Sequence, residues 1–260
     1  MEKLQEAEYF LAGVVERNGL EFQFHLNAFL SACRSTTFVL QKSMKTVPNF
    51  AQWYQEEQKN MKTDLAMGFF LELRNISQHE GPVGYVGEGR LGSDRWTYRF
   101  AGNREAVPEV LLGADIAWSC AQHLLKLANL LSIFLEKFEF SSCPANAISS
   151  EGMAVLGYSL EDVEAALGLP IGYLNVAPEI LIEEKLRYIR KEFEPLDVTT
   201  LARMSKGIFH SNGTQLEFLE TIGRGLVDDV AQSLEKRLDA KHPRDAFIEA
   251  IAKRIDGQDK

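Results

Sequence analysis

The sequence predicts a mainly α-helical protein, and three observations carry that prediction. Apolar residues recur three and four positions apart through most of the 260 residues. Glycine, proline and capping residues interrupt the pattern at intervals suited to helix ends. Strict period-two alternation is confined to one glycine-rich stretch, residues 81–102.

Residues 1–17 read as a helix with Leu4, Phe10, Leu11, Val14 and Val15 near one stripe, stopped by Asn18-Gly19. From Glu21 to Met44 the stripe is Phe22, Leu26, Phe29, Leu30, Cys33, Thr37 and Leu40. Pro48 opens a shorter helix carrying Phe50, Trp53 and Tyr54. Thr63-Asp64 caps a fourth with Met67, Phe70 and Leu73 near one face, and Glu80-Gly81-Pro82 ends it. Arg95-Trp96-Thr97-Tyr98-Arg99-Phe100 then alternates as a β-hairpin strand. Helical periodicity resumes from Val110 to Phe138, with leucines on several sides. The polar, small-residue stretch Ser141–Gly152 reads as a linker. All that follows reads as helix: Ser159–Leu167, a charged segment between Pro178 and Pro195 with Glu183 and Arg187 an i,i+4 pair, Asp197–Phe209, Gln215–Ala240 and Pro243–Ile255. This divides the chain into residues 1–140, a bundle including the hairpin, and 150–260, a C-terminal helical region.

Composition excludes several classes. With 37 acids against 28 bases the net charge is −9, which disfavours indiscriminate nucleic-acid binding through a basic surface but not a local basic site. Three cysteines without a CxxC fit free buried thiols in a reducing compartment, and the acidic, polar start MEKLQEAEYF is unlike a secretory signal, so a cytoplasmic location is expected. The longest apolar stretch, Leu111–Leu135, is broken by Asp115, His123 and Lys126, which predicts a buried helix rather than a membrane span.

Most candidate chemistry dissolves on inspection. Gly87-Glu88-Gly89-Arg90-Leu91-Gly92 matches GxGxxG, but a dinucleotide fingerprint needs its last glycine to open a helix, and a strand follows here; a hairpin loop is the expected reading. The five histidines form no HxxxH or Cys/His pair at ligand spacing, so no metal site is expected. His25 and His123 sit in helical stripes and read as core or boundary histidines making one hydrogen bond each.

The remaining candidate is Arg74-Asn75-Ile76-Ser77-Gln78-His79. Arginine followed by histidine after four to six residues occurs three times (Arg74/His79, Arg203/His210, Arg237/His242), so the loose pattern means little. A polar residue directly after the arginine, then three residues and histidine, is met only by Arg74, Asn75 and His79; composition alone yields roughly 0.03 such matches in a chain like this. Together with Leu26-Asn27-Ala28-Phe29-Leu30-Ser31-Ala32-Cys33-Arg34-Ser35, the Phe50/Trp53/Tyr54 cluster and Phe69-Phe70-Leu71-Glu72-Leu73-Arg74-Asn75, the motif resembles HEPN-superfamily bacterial proteins over residues 1–140. The resemblance implies a four-helix bundle, usually a homodimer, with the Arg and His of both subunits facing a shared cleft. It also implies a ribonuclease of the toxin or phage-defence kind, with an antitoxin or regulatory protein as a possible partner.

The residues support that chemistry on their own terms. On a helix Asn75 and His79 share a face, while Arg74 projects about 100° from Asn75 and reaches the same cleft only if the last turn tightens or frays. His79 falls in the last turn, where exposed carbonyls favour a cation. Metal-free RNA cleavage needs a base for the 2′-hydroxyl, a cation on the phosphorane and an acid for the leaving 5′-oxygen, with no cofactor. Histidine and arginine supply these if two His79 residues meet in a symmetric dimer. The expectation is therefore a metal-independent endoribonuclease; the alternative is a non-catalytic helical interaction or dimerisation module. Arg90, Arg95, Arg99 and Arg104, with Asp94 the one acid among them, are candidate RNA contacts if Trp96, Tyr98 and Phe100 stay exposed, and solvated arginines if those rings pack on the bundle.

Overall fold

A computed structural model describes residues 1–89, 96–101 and 107–220. It is mainly α-helical, with eleven helices and 65% of the described residues helical. Helices α1 (Glu2–Glu16) and α2 (Gly19–Met44) pair closely across the short Arg17-Asn18 connection, and α1, α2, α4 (Leu65–His79) and α5 (Ile116–Lys137) pack around one core. The predicted stripes are what this core is made of: Leu4, Leu11, Phe22, Leu26, Phe29, Ile116 and Leu124 are wholly inaccessible to solvent. Helix α3 (Phe50–Thr63) adds an aromatic cluster in which Phe50 and Trp53 meet Phe134 of α5 and Phe138 just past its end.

Capping fixes where α4 and α5 begin. Asp64 accepts from the Met67 amide at 3.1 Å and is ion-paired with Lys126 of α5, so one carboxylate both starts α4 and ties it to its neighbour. Asp115 caps α5 by accepting from Ala117 N at 2.7 Å. The predicted start near Val110 is instead a 3₁₀ turn, Glu109–Leu111.

Strands β1 (Tyr85–Gly89) and β2 (Trp96–Phe100) form the antiparallel hairpin, with Gly87 opposite Tyr98. A Cβ on Gly87 would lie 2.6 Å from the Tyr98 ring, so the first glycine of the GxGxxG string is there to admit an aromatic side chain. Tyr98 stacks on Phe22 at 3.7 Å and accepts a hydrogen bond from Gly19 N, while Phe100 packs edge-on against Phe69 and Phe70. The hairpin is thereby fastened to the bundle by its aromatic face.

Beyond α5 the structure corrects three expectations. The Ser141–Gly152 linker is folded: α6 (Glu139–Ser142), α7 (Pro144–Ala147) and α8 (Ser150–Leu156) follow one another closely, because Pro144 opens α7 and Ser149 caps α8 through the Gly152 amide. The segment between the prolines is helical only over α10 (Ile182–Arg190), where Glu183 bonds Arg190 and Ser150 rather than Arg187. The tail of the described chain is not all helix: α11 (Val198–Met204) ends in a turn at Gly207, and β3 (His210–Ser211) pairs with β4 (Thr214–Gln215), so the helix expected from Gln215 does not start there. Residues 221–260, including the rest of that expected helix and Pro243–Ile255, lie outside the described residues.

Two apolar clusters result. Ile148, Met153, Val163, Leu174 and Leu186 form a small core of their own around α8, α9 (Leu160–Ala166) and α10. Glu164, wholly buried there, accepts the amides of Gly172 and Leu174 at 2.6 Å each. Leu201, Met204, Phe209 and Leu216, by contrast, belong to the bundle's core. Bidentate bonds from Arg203 to Glu8, at 2.6 and 2.8 Å, fix that return to α1, and the same carboxylate accepts the His210 amide at 2.8 Å.

Candidate active site

The three motif residues sit on the last two turns of α4, which remains regular through His79 and closes with Glu80 N–H on the Ile76 carbonyl at 2.9 Å. Because the turn neither frays nor tightens, side chains five positions apart point about 140° away from each other. The structure accordingly brings Arg74 and Asn75 together and sends His79 elsewhere. The Arg74 guanidinium donates to Asn75 Oδ1 at 3.4 Å, a long bond, and its Nε is buried without a partner among the described residues. His79 is exposed on the outer rim of the helix end. Between them, Gln78 donates to Ser31 Oγ of α2 at 3.2 Å, which shows that this side of the last turn faces α2.

Arg74 lines a cavity of about 190 Å³ enclosed by α2, α3, α4 and α5. Leu30, Cys33, Phe70 and Leu127 form its buried walls, with Met61 and Met67 partly exposed, and Arg34 and Lys62 are exposed at its edge. His123 closes it from α5, stacked on Phe70 at 4.3 Å and 6°. Burial, reinforced by the nearby Lys126 and only partly opposed by Asp64, lowers the pKa of His123 to about 3, so the ring is neutral at physiological pH. Burial also pushes the Cys33 thiol well up, which makes it an inert wall rather than a nucleophile. Sequence reasoning missed this cavity. Its one visible sign was that Arg34, Lys62 and Arg74 have no Asp or Glu three or four positions away on their helices.

The other predicted residues find plainer places. His25 and His123 do occupy helical stripes, but where one hydrogen bond each is expected, the buried Nδ1 of each has no partner among the described residues. His25 instead packs so tightly on α1 that a Cβ on Gly13 would fall 2.1 Å from its Nδ1. Tyr98 and Phe100 are buried, which leaves Trp96, 46% exposed, as the one ring of the hairpin face open to a base. Arg99 is on the opposite, partly exposed face; Arg90, Arg95 and Arg104 lie outside the described residues. The chance pair Arg203/His210 proves to be the anchor on Glu8. Cys33, Cys120 and Cys143 are free and buried as expected. Among the described residues no group of three or more His, Cys, Asp or Glu side chains could hold a metal, and no helix is long and apolar enough to cross a membrane.

A family model described as Bacteriophage lambda protein ea47 matches residues 14–85, a segment running from the end of α1 through α2, α3 and α4 to the first residue of β1. Neither the curated proteins nor the solved structures contain a match to this chain.

Proposed function

We propose that this chain is a metal-independent endoribonuclease that cuts RNA by attack of a 2′-hydroxyl, acting as a homodimer in the manner of the HEPN proteins its motif resembles, with a toxin or phage-defence role in the cytoplasm. The observation that carries the reading is the exposure of His79 in the last turn of α4, one turn beyond Asn75. An imidazole open to water at a helix end is within reach of a substrate for proton transfer. One protomer offers one such ring; a two-fold partner supplies the second, so that base and acid come from different copies. Asn75 would orient the phosphate, and Arg74 would meet it through the face of the guanidinium that its bond to Asn75 leaves open. A dimer is supported by α2, which leaves Leu20, Phe24, Phe38 and Val39 exposed along a stripe that passes Ser31, the residue holding Gln78 beside His79. The matched segment 14–85 contains this whole assembly.

One observation favours the second reading, a non-catalytic interaction module. Arg74 faces the interior cavity, well away from the direction of His79, so the pair within one protomer does not converge.

Incubating purified protein with single-stranded RNA in EDTA separates the two. The ribonuclease reading expects products with 2′,3′-cyclic phosphate ends, an uncut DNA of the same sequence, and loss of cutting in both His79→Ala and Arg74→Ala. Cleavage at the same rate by wild type and both variants removes it.

A further inference from the structure

We propose that the cavity between α2, α3, α4 and α5 is a binding site for a medium-chain acyl carboxylate, with the chain in the apolar interior and the head group held by Arg34 and Lys62. The first support is charge. Among the described residues three cations, Arg34, Lys62 and Arg74, line the cavity and no Asp or Glu does, in a chain whose net charge is −9. Among the described residues none of the three is engaged in an ion pair; Arg34 reaches only the neighbouring Thr37 hydroxyl at 3.2 Å, and Arg74 only Asn75. Cations gathered without counter-charges stabilise an anion that arrives.

The second support is an unmet hydrogen bond. Among the described residues Arg74 Nε is a buried donor with no acceptor, and buried donors are ordinarily paired. A carboxylate oxygen that reaches inward from Arg34 and Lys62 would satisfy it.

The interior sets the rest of the ligand. Leu30, Phe70 and Leu127 are buried walls, and Met61 and Met67 supply flexible, polarizable surface that moulds to an unbranched chain. About 190 Å³ is the share of some six liquid waters, which corresponds to an alkyl chain of roughly six to eight carbons and is below the range of drug-sized pockets. A nucleotide is too large and too polar for it.

The inference shares Arg74 with the ribonuclease reading but assigns the head group to Arg34 and Lys62 and makes no use of His79, so the two fail separately. Calorimetric titration with octanoate tests it, using octan-1-ol and octyltrimethylammonium to keep the tail and acetate to keep the head. Octanoate is expected to bind one to one and at least tenfold more tightly than any of the other three. Arg34→Gln and Lys62→Gln, both at exposed positions, are each expected to weaken octanoate at least tenfold. Gly68→Phe adds a ring at a cavity-lining position where a Cβ meets nothing within 4 Å; it should abolish binding without lowering the melting temperature. His79→Ala should bind octanoate as wild type does, whatever it does to RNA. Equal affinity for octanoate and octan-1-ol, full affinity in the Arg34→Gln/Lys62→Gln double variant, or no octanoate heat up to millimolar concentration would each overturn the proposal.

Discussion

The imidazole of His123, half-buried against Phe70 with its Nδ1 sealed from solvent, makes stability depend on pH in a way that can be worked out beforehand. In the unfolded chain the ring titrates near its ordinary value of 6.5, whereas in the fold its pKa is about 3. A histidine held neutral by the native state contributes stability that is complete above pH 6.5 and is lost progressively as pH falls, until the native ring itself takes a proton near 3. At pH 5 the unfolded ring is almost wholly protonated and the native ring almost wholly neutral. That pH lies about 1.5 pH units below the unfolded pKa, and at about 1.4 kcal/mol per unit His123 alone costs the fold about 2 kcal/mol relative to neutral pH. The native-state value enters the result only below about pH 4, so the unfolded ring sets the figure. The perturbation is His123→Gln, which keeps a polar planar group against Phe70 and removes the titration. Urea unfolding followed by fluorescence of the buried Trp53, at pH 7, 6 and 5, reads both proteins. Every group common to both proteins cancels, so the difference between the two curves isolates this ring: the variant's deficit should shrink by about 2 kcal/mol between pH 7 and 5. Parallel curves would show that the ring is solvated and that burial is not what governs it.

Two further substitutions test the packing. Arg203→Met leaves the Glu8 carboxylate, 8% exposed, with its countercharge gone, and should cost about 3–5 kcal/mol in urea unfolding; a loss below about 1 kcal/mol would mean the pair is solvated and does not fasten α11 to α1. Gly87→Ala places a methyl against Tyr98, which Phe22 and the Gly19 amide hold from the other side, so a loss of about 1–3 kcal/mol is expected in thermal melts; an unchanged melting temperature would show the hairpin is free to shift.

How much of this was legible depended on how local the determining interaction is. Helices α1 to α5 followed from apolar spacing because their stripes are long, and Asp64 marked the start of α4; the start of α5 lies later than the spacing suggests because the apolar run extends upstream of its cap, Asp115. The capping box Ser159–Asp162 likewise declared α9. Ser141–Gly152 misled because small polar residues are shared by linkers and by short capped helices, and only its burial against the α8–α10 core separates them. The small β3–β4 hairpin was hidden because two-residue strands have no period, and its position is set by Glu8, some two hundred residues earlier. At the site, His79 could be placed on a helix end from Glu80-Gly81-Pro82. Where Arg74 points could not be, since that is decided by a cavity to which α2, α3 and α5 all contribute.

The return of residues 197–218 to α1 and α5 changes what counts as a separable piece. A truncation at residue 140, where composition invites one, would strip Leu201, Met204 and Phe209 off the bundle and bare the greasy flank beneath them, leaving Glu8 a stranded charge. The excisable part is the middle, around Ile148 to Phe193, which keeps its own interior. Evolution could therefore swap that block like a cassette clipped between two halves of one body, and a protein engineer should place the scissors there.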